Sequence, residues 1–126
     1  MADAKPKVLL VEDDPFMTTL LYEYLVKDGF EVISAGDGEE AVKQFKKSTP
    51  DVMLIDILLP KKNGLEALRE IRALPGGDRV PAMILSNLEE VAYQKEAQEL
   101  NAKAYLVKAN VQLPEIVAKV KEILKD

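Results

Sequence analysis

Acidic residues follow two apolar runs of this chain, and their spacing suggests a metal-dependent reaction centre. The triplet Glu-Asp-Asp at residues 12–14 comes directly after the apolar residues 8–11, and Asp56 comes after the apolar residues 52–55. If both runs are neighbouring strands of a parallel sheet, these carboxylates meet at one edge of the sheet and repel each other. A hard divalent cation relieves that repulsion. The pattern therefore predicts a magnesium site beside a reactive aspartate.

The composition narrows the chemistry that is available. The 126 residues include no cysteine and no histidine. Disulfides, thiolate catalysis, cysteine-held zinc and histidine acid–base chemistry are therefore excluded, which leaves carboxylates, hydroxyls and amines. A net charge of −5, with both signs mixed along the chain, argues against non-specific nucleic-acid binding.

Membrane insertion is also not expected from the sequence. No apolar stretch approaches the roughly 20 residues that a membrane-spanning helix needs. The first residues lack the apolar core of a signal peptide. We therefore expect a cytoplasmic protein that neither enters a membrane nor binds nucleic acid directly.

Apolar runs and helical periodicity alternate along the chain. The runs predict five strands, at residues 8–11, 30–35, 51–56, 80–86 and 104–108. Asp14 and Pro15 are typical of a helix start, and Gly29 of its end. Four further helices are predicted: one that begins at Asp37, one marked by helical spacing from Leu65 to Leu74, one over residues 88–100, and one that begins near Pro114. The third of these has a thin apolar stripe of Val91, Ala92 and Leu100.

Strands that alternate with helices predict a parallel sheet covered on both faces. The expected fold is a doubly wound, flavodoxin-like (βα)5 α/β domain with strand order 2-1-3-4-5. That order places strands one and three side by side at the topological switch point, where ligands bind. We expect a single domain over residues 1–126, with its core at about residues 6–125, and no output domain.

Short motifs at successive strand ends carry a family resemblance. They are Val11-Glu12-Asp13-Asp14, Leu54-Ile55-Asp56-Ile57-Leu58-Leu59-Pro60 with Asn63-Gly64, Ile84-Leu85-Ser86, and Tyr105-Leu106-Val107-Lys108. Each motif is weak alone, but together and in this order they are strong. The chain resembles the receiver domain of bacterial response regulators, the phosphoacceptor half of two-component signalling, over essentially its whole length.

The resemblance implies a metal site. Mg²⁺ (or Mn²⁺) would be held by Asp13 and Asp56, by Glu12 through water, and by the backbone carbonyl of Leu58. This ligand set consists of oxygens alone, which suits a metal that keeps several waters.

The resemblance also implies a phosphorylation switch. Asp56 would accept a phosphoryl group from a sensor histidine kinase or a histidine phosphotransfer protein, while Lys108 and Ser86 would contact that group. Ser86 would move toward phosphorylated Asp56, and Tyr105 would turn inward. The surface of helix four, strand five and helix five would then bind a downstream protein. Such a protein is a switch rather than a conventional enzyme, although it contributes to its own phosphorylation and dephosphorylation.

Several positions depart from the family pattern. Alanine rather than proline follows Lys108, and Ala109 is expected after a trans peptide bond because a non-proline cis bond costs about 2.5–4 kcal/mol. Asn87 follows Ser86 where a small residue is usual; it is expected to narrow access to Asp56 or to add a hydrogen-bond donor. Leu58 and Leu88 cannot orient a water by hydrogen bonding, which predicts slow self-dephosphorylation.

Plainer interpretations stay open at this point. Asp14 can serve only as a helix cap, Ser86 as a turn residue, Tyr105 as a half-buried strand aromatic and Lys108 as a solvated strand end. The chain could also be a binding module that is not phosphorylated. A flavodoxin-like cofactor binder is disfavoured, because the acidic first turn would repel a phosphate in the absence of metal.

Overall fold

A parallel sheet of five strands forms the centre of the protein. The computed structural model describes residues 5–125. The strands are β1 (Lys7–Val11), β2 (Glu31–Ala35), β3 (Val52–Ile55), β4 (Ala82–Ser86) and β5 (Ala104–Val107). The helices are α1 (Pro15–Lys27), α2 (Gly38–Lys47), α3 (Gly64–Arg72), α4 (Val91–Glu99) and α5 (Leu113–Lys125), with a short 3-10 turn at Lys108–Asn110.

The strand order is β2-β1-β3-β4-β5, and every pairing is parallel. The predicted doubly wound fold is therefore confirmed. In the β1–β3 register Val11 lies opposite Ile55. The backbone N–H of Asp56 donates to the Val11 carbonyl at 3.0 Å. The acidic ends of β1 and β3 therefore lie side by side at the switch point.

Alternation along the buried strands produces two cores. Leu9 of β1 faces the cluster that contains Phe45 of α2 and Leu68 of α3. Leu10 faces the opposite cluster, which contains Leu25 of α1 and residues of α5. Successive side chains of a strand point to opposite faces, so residues 8–11 of β1 are all apolar because both faces of the strand are covered there.

The predicted start and end of α1 are confirmed. The Asp14 carboxylate caps the helix by accepting from the N–H of Phe16, and Pro15 opens the first turn. Gly29 has a φ of 96°, a left-handed conformation that glycine adopts without steric cost. This geometry turns the chain sharply from α1 into β2.

Two predictions about local structure are wrong in detail. Val91 and Ala92 do not form the inner stripe of α4: Val91 is 78% exposed, and Ala97 is buried instead. Leu100 is buried as predicted, and Tyr93 and Ala97 pack with it at helical spacing, a face that leaves Val91 and Ala92 exposed. β5 ends at Val107 rather than at Lys108, because the pairing with β4 stops at Ser86 and the chain enters the 3-10 turn.

β2, β3 and β4 are one or two residues shorter than predicted, whereas β1 is one residue longer because Lys7 pairs with Glu31. Within residues 5–125, no helix combines the length and the hydropathy that spanning a membrane would require.

Candidate functional site

Three carboxylates gather where β1 and β3 end. Glu12 and Asp56 are buried, with 4% and 6% of their surfaces exposed, and Asp13 is exposed. One carboxylate oxygen from each of the three residues lies within 4.8 Å of the others. The acids predicted from the two motifs therefore meet in space, with two of them inside the protein and one at its surface.

Lys108 supplies the positive charge that this cluster requires. Its Nζ lies 2.8 Å from Glu12 Oε1 and 2.8 Å from Asp56 Oδ2. The Lys108 side chain is only 14% exposed. It is therefore not a solvated strand end, because its ammonium bridges two buried carboxylates at the end of the sheet.

Burial and charge shift the pKa values of this group in opposing ways. Burial raises the pKa of Glu12 above its ordinary value, and the hydrogen bond from Lys108 only partly offsets that effect. Burial by itself would lower the pKa of Lys108, but the hydrogen bonds to Asp56 and Glu12 outweigh it, so the pKa is raised overall. The lysine is therefore held in its charged form by the acids it joins.

The orientation of Asp56 is fixed by its own loop. The N–H of Ile57 donates to Asp56 Oδ1 at 2.7 Å, while Oδ2 accepts from Lys108. Gly64 holds the loop close: its N–H donates to the Ile57 carbonyl at 2.8 Å, and a Cβ on Gly64 would lie 1.9 Å from the Asp56 carbonyl oxygen. Only glycine fits at position 64, because any larger residue would clash with the Asp56 carbonyl.

Ser86 and Tyr105 both contact the backbone of Leu88. The N–H of Leu88 donates to Ser86 Oγ at 3.3 Å, and the Tyr105 hydroxyl donates to the Leu88 carbonyl at 2.5 Å. Ser86 is 1% exposed, and within residues 5–125 its hydroxyl proton has no acceptor. That leaves a buried donor available at the end of β4. Burial, followed by the charges of Glu90 and Asp56, raises the pKa of Tyr105.

Asn87 and Ala109, the two departures beside Ser86 and Lys108, are bonded to each other. The N–H of Ala109 donates to Asn87 Oδ1 at 2.9 Å. Asn87 Oδ1 therefore serves as an acceptor here, a contact that the sequence did not indicate. The part of the chain from residue 5 to 125 contains no cis peptide bond, which agrees with the trans bond expected before Ala109.

The two leucines near the site differ in environment. Leu58 is 61% exposed, while Leu88 is half-buried and packs against the core. The Ile57 carbonyl is occupied by Gly64, but the Leu58 carbonyl accepts no hydrogen bond from the described residues. A free carbonyl at this position fits the metal-ligand role that the family resemblance implies.

The donor set fits a hard divalent cation. Every group that the cluster offers is an oxygen, and one of the three acids faces solvent, where metal-bound waters can be accommodated. A single lysine balances two buried carboxylates. The site therefore carries an excess of negative charge that a bound cation would neutralise.

Comparisons with known proteins agree with this geometry. Residues 8–121 match the family model described as the response regulator receiver domain. The chain is 33% identical over 103 residues to the chemotaxis protein CheY of Bacillus subtilis, a match that covers 81% of this chain and 84% of CheY. It is 36% identical to the transcriptional regulatory protein TrcR of Mycobacterium tuberculosis, which covers 98% of this chain and 48% of TrcR. The chain thus spans about half the length of the transcriptional regulators that it matches.

A solved structure shows the same fold around a metal. The receiver domain of the sensor histidine kinase PA1611 from Pseudomonas aeruginosa has a TM-score of 0.87 and 29% identity, covering 98% of this chain and 100% of that chain. That structure has a magnesium ion coordinated in the active-site cleft. On its sequence, its strand order and its acidic cluster, the chain belongs to the response regulator receiver domain family of two-component signalling.

Proposed function

We propose that Asp56 is the phosphoacceptor of this receiver domain. The observation that carries the proposal is the position of Asp56 in the acidic cluster, buried, fixed by the N–H of Ile57 and paired with Lys108. Phosphoryl transfer needs positioning and charge neutralisation more than covalent assistance, and these contacts supply both.

The transfer proceeds by exchange of one bond for another. A carboxylate oxygen of Asp56 forms a bond to phosphorus, while the bond from phosphorus to the donor's histidine nitrogen breaks and leaves the electron pair on that nitrogen. The product is an acyl phosphate on Asp56. Lys108 then donates to a phosphoryl oxygen as a point charge, and Ser86 donates its unused hydroxyl proton to another.

The metal ligands would be Glu12, Asp13, Asp56 and the backbone carbonyl of Leu58. Mg²⁺ (or Mn²⁺) bound there would neutralise charge on the transferring phosphoryl group. Two contacts fix the Glu12 carboxylate, which accepts from the N–H of Asp14 at 3.2 Å and pairs with Lys108.

Phosphorylation would switch the contacts around Leu88. Ser86 must give up the Leu88 N–H when its side chain turns toward the phosphoryl group. Tyr105 already holds the Leu88 carbonyl, so movement of the β4–α4 loop passes directly to β5. Both contacts lie beside the surface of α4, β5 and α5, which is where a downstream protein would bind. A phosphoryl group that binds one arrangement better than the other shifts the population between them.

The partners follow from this chemistry. The phosphoryl donor would be a sensor histidine kinase or a histidine phosphotransfer protein, and the output would be contact with another protein. We also propose that the protein acts in the cytoplasm and that it contributes to its own phosphorylation and dephosphorylation.

A mass-spectrometric experiment tests the assignment. The protein is incubated with Mg²⁺ and acetyl phosphate, and the expected product is a phosphate adduct that is stable to acid and labile to alkali. Asp56→Asn should abolish the adduct, whereas Asp78→Asn, at an exposed aspartate outside the cluster, should retain it. No adduct on the native protein would favour an unphosphorylated binding module, and an undiminished adduct on Asp56→Asn would place the site elsewhere.

A further inference from the structure

One hydrogen bond joins the loops that follow β4 and β5. Ser86 lies opposite Val107 in the last pairing of these strands. Immediately beyond the strand ends, the Asn87 side chain accepts from the N–H of Ala109 at 2.9 Å. The side chain thus continues the connection between the strands after their backbone pairing has stopped.

The partners of this bond are the direct neighbours of two proposed phosphoryl-binding residues. Asn87 follows Ser86, and Ala109 follows Lys108. The bond needs a side-chain acceptor oxygen at position 87 and a backbone N–H at position 109. Proline at position 109 would have no N–H to donate.

The segment that carries Lys108 has little else to hold it. Lys108 begins a 3-10 turn of three residues that has no side-chain cap. The bond that closes this turn, from the N–H of Val111 to the Lys108 carbonyl, is 3.5 Å long and lies at the outer limit of hydrogen bonding. The bond to Asn87 is much shorter, so it is the stronger restraint on the backbone next to Lys108.

We infer that Asn87 is a positioning residue, which holds Lys108 against Glu12 and Asp56 by fixing the backbone of Ala109. Asn87 does not touch the reacting atoms in this role. By fixing the backbone of Ala109, Asn87 restricts the conformations in which the Lys108 side chain moves away from the two carboxylates. This inference deepens the proposed function, because the kinetic consequence rests on phosphorylation at Asp56.

Nuclear magnetic resonance tests the bond and the lysine independently of phosphorylation. In Asn87→Ala, the amide of Ala109 should exchange with solvent about three- to tenfold faster, the factor that one ordinary hydrogen bond is worth. The side-chain ammonium signal of Lys108 should broaden or shift. Asn87→Asp keeps the acceptor oxygen and should retain the protection of Ala109. Asn110→Ala, in the same turn and with no side-chain hydrogen bond to the described residues, should leave both signals unchanged.

Phosphorylation kinetics test the consequence. With acetyl phosphate and Mg²⁺, Asn87→Ala should lower the rate constant at saturating donor by about three- to tenfold, and Asn110→Ala should not. Ala109→Pro removes the same bond from its other side. Adding Asn87→Ala to Ala109→Pro should therefore slow the reaction no further, while circular dichroism checks that each variant is folded.

The outcomes separate the two proposals. If the native protein gains no phosphate but the Lys108 signal responds to Asn87→Ala, the positioning role stands and the proposed function falls. If the native protein is phosphorylated but Asn87→Ala changes neither the Lys108 signal nor the rate, the positioning role is wrong. Faster exchange at Ala109 without any change at Lys108 would also overturn it.

Discussion

Lys108 Nζ lies 2.8 Å from Asp56 Oδ2, although 52 positions of chain separate the two residues. The contact depends on β3 and β5 ending at the same edge of the sheet with β4 between them. Because Glu12 binds the same ammonium, two buried negative charges share one positive charge. Charge compensation around Asp56, the proposed phosphoacceptor, is therefore incomplete.

Replacement of Lys108 should destabilise the folded protein. We expect Lys108→Met to lower the free energy of unfolding by about 3 kcal/mol in EDTA, because two buried carboxylates lose their cation. Urea denaturation measures the loss. Lys119→Met, at a lysine paired only on the surface, should cost less than about 1 kcal/mol. An unchanged stability of Lys108→Met would mean that the bridge is energetically neutral.

Mg²⁺ should stabilise the native protein through the acidic cluster. At about a hundredfold excess over its dissociation constant, a ligand that binds only the folded state adds about 2.7 kcal/mol. We expect Mg²⁺ to raise the free energy of unfolding by this order, and a chelator to reverse the gain. Thermal unfolding measures both changes. Asp13→Asn should abolish most of it. Asp14→Asn is the matched control, since asparagine preserves the helix cap; an equal loss there would argue against a defined site.

Glu12 should give stability a dependence on pH in the absence of metal. Because its pKa is raised in the folded state, the folded protein binds the Glu12 proton more tightly than the unfolded chain does. The stability that this provides is present below about pH 4.3 and is lost as the pH rises through the folded pKa. The native protein should therefore become less stable relative to Glu12→Gln as the pH rises above this value.

Urea denaturation in EDTA at several pH values between 4 and 8 measures that difference. Glu23→Gln, at an exposed glutamate of α1, is the control and should show no such trend. A difference between the native protein and Glu12→Gln that grows as the pH falls would contradict the predicted sign.

The acyl phosphate should decay slowly. Leu58 is exposed beside Asp56 and offers no side-chain group to orient an attacking water, and Leu88 packs against the core instead. We expect Leu58→Asn to speed dephosphorylation by at least about threefold, the worth of one hydrogen bond to that water. Leu88→Glu is the second comparator. Phosphate release after removal of the donor measures the rates, and native decay as fast as either variant would refute the idea.

Tyr105 should stabilise the β4–α4 loop through its hydroxyl. Tyr105→Phe removes the only hydrogen-bond donor to the Leu88 carbonyl among the described residues, and should lower the free energy of unfolding by about 1 kcal/mol. Tyr22→Phe, at an exposed ring, should change it little. Chemical denaturation measures both variants, and equal small effects would show that the Leu88 contact contributes nothing.

The sequence alone determined the architecture and which acidic residues meet at the candidate site. Strict alternation of apolar runs and helical periodicity allows little besides a parallel sheet covered on both faces, and acids directly after β1 and β3 must then meet at the switch point. Asp14, Pro15 and Gly29 set the limits of α1 through local backbone chemistry, which is readable without tertiary contacts. Local signals were weaker for α4, where polar residues surround the helix and two of the three residues predicted on its inner face, Val91 and Ala92, are exposed.

Tertiary structure decided how the site is held. Nothing in the spacing shows that Lys108 bonds Glu12 as well as Asp56, since that depends on the path of a side chain across the end of the sheet. The sequence does not show that position 64 requires glycine, because that requirement comes from the Asp56 carbonyl oxygen, 1.9 Å from where a Cβ would lie. The bond between Asn87 and Ala109 joins residues 22 positions apart in separate loops. Local periodicity fixes which residues arrive at the sheet edge, whereas distances between loops emerge only when the chain packs.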